Sequence, residues 1–302
     1  DDHAPLDDHA PLDDHAPLDD HAPLDDHAPL DGPATSGDAA LRRCPSSTDS
    51  VKKVPFLSSG RVAVWFDEVC GWALGASHLP APVDYQGLVQ GWHRALWRRG
   101  YAVDVVPPGA VLSGYALVVV PAAYLLTDAS ARRLTEYVRD GGHLVVTYLS
   151  GIVDEHARVR TGGYPGALRE LLGVRVEEFD PRPAGQSVRL DNGDTVTGWA
   201  EELTAPGARV LAAYPDGRPA VTRREHGAGV AYYVSCGLDD VATARFLGEA
   251  CAAAAVEPVV PDLPDGVEAV RGAAGLWLFN HTERPHEVGG RLLAPGASEL
   301  VG

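Results

Sequence analysis

Residues 115–151, YALVVVPAAYLLTDASARRLTEYVRDGGHLVVTYLSG, set two apolar runs on either side of a helical pattern. The first run, Leu117-Val118-Val119-Val120, is continuous and closed by Pro121, as expected of a strand buried on both faces in a parallel sheet. Thr127 or Asp128 can cap the next segment, in which Leu134, Tyr137 and Val138 recur at helical spacing. Gly141-Gly142 stops that helix, and residues 143–148, HLVVTY, form a second buried strand. Strand, helix and strand within about forty residues make a βαβ unit, with parallel pairing and a right-handed crossover.

The flanking sequence extends this pattern. Residues 61–66, RVAVWF, read as a first strand, followed by a loop through Gly71, Gly75, Pro80 and Pro82. Asp84 caps a helix to Arg99, with Leu88, Trp92, Ala95 and Leu96 along one face and Gly100 as its stop. Residues 103–106, VDVV, form the second strand of an open α/β sheet, whose ligands and partners meet it at the carboxyl ends of the strands. Beyond Gly151 the texture becomes β-like, with strands expected at 174–178, 187–190, 210–214, 220–224 and 230–234. A short helix at 166–172 precedes them, and an alanine-rich helix opened by Leu238-Asp239-Asp240 follows. After Pro258, Pro261 and Pro264, short strands at 267–271, 276–280 and 291–293 indicate a small antiparallel unit.

Residues 1–30 are five copies of Asp-Asp-His-Ala-Pro-Leu. A proline in each repeat forbids a useful helix, and one leucine per repeat buries too little to offset the entropy of ordering. His3, His9, His15, His21 and His27 each follow two carboxylates, which raises a metal-binding tract as an alternative. Five identical copies fit a tandem duplication better, and a disordered, dispensable tail and linker is expected over 1–59. The net charge of −17 divides into −9 over residues 1–59 (thirteen Asp against four Lys or Arg) and −8 over the rest, so the body is mildly acidic and shows no basic footprint for nucleic acid. The chain has no methionine, which is expected of a fragment or of an alternative start translated literally.

The sequence shows no apolar run long enough to cross a bilayer, so no membrane partner is expected. Cys44, Cys70, Cys236 and Cys251 are far apart without a CxxC pair, which points to a reducing cytoplasm and away from a disulfide framework or zinc site. Gly71-Trp72-Ala73-Leu74-Gly75 lacks the spacing of a phosphate-binding loop. The turn after Tyr148 carries Leu149-Ser150-Gly151, without the cysteine an amidotransferase nucleophile requires. Asp154 and Glu155, beside His156, are adjacent and so make a poor acid–base pair. Cys236 and Cys251 read as small core residues, as do Trp65 and Trp92 among the tryptophans. Trp72, in a loop, is equally suited to anchor an interface. No catalytic, cofactor-binding or metal-ligating residue is assigned.

These segments resemble the non-catalytic half of a bacterial glycoside hydrolase family 42 β-galactosidase. The pieces that carry the resemblance are VAVWFD at 62–67, GLVQGWHRALWRRGYAVDVVPP at 87–108 and LVVVPAAYLLTD at 117–128. GGHLVVTYLSGIVDEHARVRTGGYPGALRELLGVRVEEF at 141–179 and LFNHT at 278–282 complete it, so that it covers about residues 60–302. The resemblance implies a flavodoxin-like, class I glutamine amidotransferase-like α/β trimerisation domain at 60–257 and a small antiparallel β domain at 258–302. In that family both catalytic glutamates, and a zinc-binding cysteine cluster, lie in an N-terminal (β/α)₈ barrel. No matching position exists here, so neither glutamate nor any cofactor carries over, and about sixty residues cannot hold a barrel.

The expectation is therefore an oligomerisation module, inactive by itself, with a homotrimer as its partner state and a β-galactoside as a secondary candidate ligand. The rivals are a carbohydrate-binding accessory module and an amidotransferase-like enzyme. The candidate interface comprises Trp72 and the loop 150–165, where Asp154 and Glu155 are mixed with Arg158 and Arg160. Those charges can pair across a heterologous interface or within one chain, or they can cap the strand ends and stay solvated.

Overall fold

The structure, a computed structural model, describes residues 61–183, 185–272 and 274–301. The tail and linker expected at 1–59 lie outside the described residues. The first elements are β1 (Val62–Trp65), α1 (Glu68–Gly75), α2 (Tyr85–Trp97), β2 (Val103–Val106), β3 (Leu117–Val120), α3 (Asp128–Arg139) and β4 (His143–Thr147). After a 3₁₀ turn come α4 (Arg169–Leu172), β5 (Arg175–Phe179), β6 (Ser187–Arg189), β7 (Thr195–Thr204), β8 (Arg209–Ala213), β9 (Pro219–His226), β10 (Gly229–Val234), β11 (Cys236–Leu238) and α5 (Asp240–Ala253). The remainder is strand: β12 (Val267–Gly272), β13 (Gly275–Asn280), β14 (His286–Val288), β15 (Arg291–Leu293) and β16 (Ser298–Val301).

The principal sheet has seven strands in the order β2-β1-β3-β4-β10-β9-β8. Its first five run parallel, and β9 and β8 are antiparallel additions at one edge. The residues of β1 and β3 are buried on both faces, as their unbroken apolar runs require. Alternate residues divide between two cores. Val62, Val64, Leu117 and Val119 meet α2 and α5 through Val89, Trp92, Leu96, Phe246 and Leu247. Ala63, Trp65, Val118 and Val120 meet α3 and α4 through Leu134, Val138, Leu171 and Leu172. The result is a sheet between two helical layers.

Capping follows local chemistry. Asp84, Thr127 and Asp239 accept hydrogen bonds from the backbone N–H groups of Gly87, Ser130 and Ala242, starting α2, α3 and α5. Gly141 ends α3 at φ 111°, a conformation that suits glycine.

Several elements differ from expectation. The segment read as a loop through Gly71 and Gly75 is the helix α1, capped by the Asp67 carboxylate on the N–H of Val69. Packing of Cys70 and Leu74 into the core outweighs the poor helix propensity of its glycines. Consequently Trp72 sits on a helix and not in a loop. The longest strand, β7, goes unread in the sequence because Gly198, at φ 69°, interrupts its alternation and Glu201-Glu202 lies at its centre. It pairs with β11, β5 and β6 in a separate antiparallel sheet. The piece at 230–234 is likewise no isolated β element: β10 returns beside β4 and pairs parallel to it. The terminal unit has a three-stranded sheet, β12-β13-β16, and the hairpin β14-β15.

Candidate functional site

The carboxyl ends of β1, β3 and β4 lie along one edge of the principal sheet, and the segment 121–126 links them. There the Cys70 thiol of α1 donates to the carbonyl of Ala122 at 3.3 Å. The amides of Gly151 and Ile152 donate to the carbonyls of Ala123 and Tyr124, and the amide of Leu126 donates to the carbonyl of Val153. The helix bearing Trp72 and the loop after β4 are thereby held to one scaffold.

Apart from Glu68, α1 is apolar nearly all round, a pattern of helices covered on both sides. Its inner face is buried through Cys70 and Leu74. On its outer face Val69 is 48% and Trp72 is 69% exposed. The tryptophan placed among the candidates is thus outward-facing, and Val69, one turn away, joins it. No sequence signal distinguished Val69 without the helix that pairs it with Trp72.

The loop after β4 is closed on itself. A β-carbon on Gly151 would meet the carbonyl oxygen of Pro165 at 2.5 Å, so the two ends of the loop touch in the manner of an Ω-loop. Asp154 braces its tip: one carboxylate oxygen accepts the amides of His156 and Arg158, each at 2.9 Å. The hydrogen bond from the Arg158 amide is the chief reason this carboxyl titrates below its ordinary value. Arg160 turns inward, donating to the carbonyl of Leu126 at 2.6 Å and pairing with Asp128 at 2.8 Å. Asp154 and Arg160, considered for pairing across an interface, thus have partners within the chain, the first in the loop's own amides and the second in Leu126 and Asp128. Glu155 and Arg158 point outward, with no ion pair among the described residues, and between Arg158 and Arg160 stands Val159, 60% exposed.

Beneath this loop is a buried polar group absent from the sequence reading. Leu149, at φ 58°, forms a sharp elbow at the end of β4. Its amide donates to Glu201 at 2.8 Å, and the other carboxylate oxygen accepts the Tyr233 hydroxyl at 2.5 Å. Burial pushes the Glu201 carboxyl up to about 7, although both hydrogen bonds oppose the shift. The hydroxyls of Thr147 and Ser150 complete the elbow by accepting the amides of Ala122 and Ala123. Leucine occupies the turn, and both oxygens of the Glu201 carboxylate are taken up within the fold by the Leu149 amide and the Tyr233 hydroxyl. Burial also pushes the Cys70, Cys236 and Cys251 thiols up to about 12, so none of these three is poised as a thiolate.

The sequence model described as "Beta-galactosidase trimerisation domain" matches residues 60–257. A β-galactosidase from Arthrobacter sp. is 39% identical over 232 residues, which is 74% of this chain and 33% of the relative. The β-galactosidase BgaB of Geobacillus sp. is 34% identical over 249 residues, 77% of this chain and 37% of the relative. Among solved structures, a β-galactosidase from Rahnella sp. R3 superimposes with a TM-score of 0.74 at 29% identity, covering 80% of this chain and 40% of that one. The β-galactosidase of Halorubrum lacusprofundi gives 0.72 at 31% identity, covering 79% and 39%. The chain thus spans about a third of the length of the curated relatives it matches.

Proposed function

We propose that this chain, which belongs to the β-galactosidase trimerisation domain family, acts as the oligomerisation module of a β-galactosidase-type glycoside hydrolase. In this reading residues 60–257 form a flavodoxin-like α/β trimerisation domain, and 258–302 form a small β domain beside it. The order β2-β1-β3-β4-β10 of the parallel strands supports that assignment of topology. The module brings three copies around a cyclic axis through a heterologous contact. It supplies no catalytic glutamate, and hydrolysis of terminal β-galactosides belongs to the larger assembly it serves. Free thiols at Cys70, Cys236 and Cys251 support a reducing cytoplasm as its compartment. Among the described residues no helix is long and apolar enough to cross a membrane.

The observation that carries the proposal is the outer face of α1. An exposed tryptophan and valine on a helix apolar on both sides call for a covering surface, and tryptophan is the usual centre of such contacts. The braced loop beside it supplies Glu155, Arg158 and Val159 as a polar and apolar rim. Light scattering and sedimentation across a concentration series test the reading. The expected species is a trimer that Trp72→Glu dissociates while leaving the circular dichroism spectrum unchanged. Arg158→Glu is expected to weaken it less, by about 1 kcal/mol, because a charge at a wet rim contributes little. A monomer at every concentration would overturn the proposal.

A further inference from the structure

The terminal sheet has an unusual outer face. Along β13, Leu278 and Asn280 point inward, and Trp277 and Phe279 fall on the other side, followed just past the strand end by the exposed His281. Position by position, a solvated face of an antiparallel sheet carries polar residues. Here it carries rings. Trp277 and Phe279 lie 6.2 Å apart with planes 17° from parallel, and Phe279 and His281 lie 6.2 Å apart at 13°. Trp277 is 36% exposed, and its cross-strand neighbours Val270 and Leu300 are exposed as well. These rings are not needed for the small core, which is built from Val267, Ala269, Leu278, Val288 and Leu293 on the inner side.

Polar groups converge at one end of this row. Glu268, opposite Phe279, holds the His281 imidazole at 2.9 Å. Trp97, from the end of α2, stands 6.0 Å from His281 at 45° and forms a wall. Between α2 and β12 opens a cleft of about 210 Å³, lined by His93, Trp97, Glu268 and Val270 among others. Its size is below the roughly 300 Å³ at which drug-sized pockets begin, so it accommodates a single small ring. Arg61 pairs with Asp104 and Glu268 holds His281, and Arg271 also lines the cleft, so its charges are of both signs.

We propose that the outer face of β12 and β13, with the adjoining cleft, is a binding site for a neutral pyranoside. The exposed part of Trp277 and the Trp97 ring lining the cleft offer apolar ring surface against which the C–H face of a sugar packs. A carboxylate and imidazoles beside them offer the acceptors and donors its hydroxyls require. A wholly apolar ligand would leave the polar lining of the cleft without partners. The site lies apart from α1 and the loop after β4, so it does not depend on the assembly proposed above.

The test is ligand-observed NMR saturation transfer on the full chain, with lactose and methyl β-galactoside as probes and sorbitol as a linear polyol control. Saturable binding to the pyranosides, with a dissociation constant on the order of 1 mM, is expected. Trp277→Ala should weaken it at least tenfold, and Glu268→Gln severalfold, with both variants keeping the wild-type melting curve. Because Trp277 is exposed and outside the small core, its loss leaves the fold intact. Absence of saturable binding would overturn the inference. So would binding that Trp277→Ala leaves unchanged, or equal binding of sorbitol. A Trp277→Ala variant that changes oligomeric state without altering sugar binding would identify the face as a protein contact and overturn it too. Failure of trimer formation leaves these outcomes unaffected.

Discussion

Replacing Glu201 with alanine is expected to destabilise the fold by about 3–5 kcal/mol at pH 5, measured by urea unfolding. The side chain is 1% exposed and is the acceptor for both the Leu149 amide and the Tyr233 hydroxyl. Its removal strands two buried donors, at about 1–3 kcal/mol each, and leaves a cavity behind them. Glutamine keeps one carbonyl acceptor at nearly the same volume, so Glu201→Gln is expected to cost only about 1 kcal/mol. A loss below about 1 kcal/mol for alanine would show that the elbow holds without this carboxylate.

The same residue sets a pH dependence whose sign is determined. The folded-state carboxyl titrates near 7, against an ordinary 4.5, so between those values the native state binds more protons than the unfolded one. The contribution is therefore fully present below about pH 4.5 and is lost as pH rises through about 7. Its size is at most about 3 kcal/mol, from 1.36 kcal/mol for each unit of displacement. Tyr148, Tyr233 and Cys236, the titratable groups that act on it, are themselves pushed upward by burial and stay neutral across this range. Subtracting the stability of Glu201→Gln from that of the wild type at each pH isolates the term. A flat difference between pH 4.5 and 8 would contradict it.

Gly229→Ala is expected to be comparably severe, costing at least about 3 kcal/mol and depressing soluble yield. A β-carbon at Gly229 would land on the carbonyl oxygens of Val138 and Gly142, inside van der Waals contact with both. Neither can yield easily. The Gly142 carbonyl accepts the Val230 amide at 3.2 Å, and the Val138 carbonyl accepts the Gly141 amide at 3.0 Å. Relief requires β10 to move away from β4, against the register that pairs Val230 with His143 and Val234 with Thr147. A domain of ordinary stability has only about 5–15 kcal/mol in all, so such a displacement threatens the whole fold. Gly91→Ala on α2 is the control: nothing lies within 4 Å of its β-carbon, and alanine favours a helix. It should leave the midpoint unchanged or raise it. Equal behaviour of the two variants would refute the steric argument.

Local signals carried much of the architecture. Two apolar runs with a capped helix between them specify β3, α3 and β4, because nearest-neighbour propensity, capping and burial there agree. Asp84 and Asp239 announce α2 and α5 for the same reason. Where local and tertiary preferences conflict, the sequence misleads. Two glycines argue against α1, which forms because Cys70 and Leu74 reach the core beside Ala122 and Tyr124. Glutamates argue against the centre of β7, until Glu201 finds two donors that lie 52 and 32 positions away in the chain.

The candidate surface divides along the same line. Residue order alone places a charged loop and a tryptophan near the carboxyl ends of the strands. Which of their side chains face the fold and which face solvent depends on contacts distant in the chain. Asp154 folds back onto the amides of His156 and Arg158 at the loop's exposed tip, and Arg160 is drawn inward to the Asp128 carboxylate once the loop closes. Trp72, Val69, Arg158 and Val159 stay outside. Side-chain direction follows from long-range closure and not from residue type. A sequence can therefore nominate the loop, but only the folded chain can divide it into braces and exposed side chains.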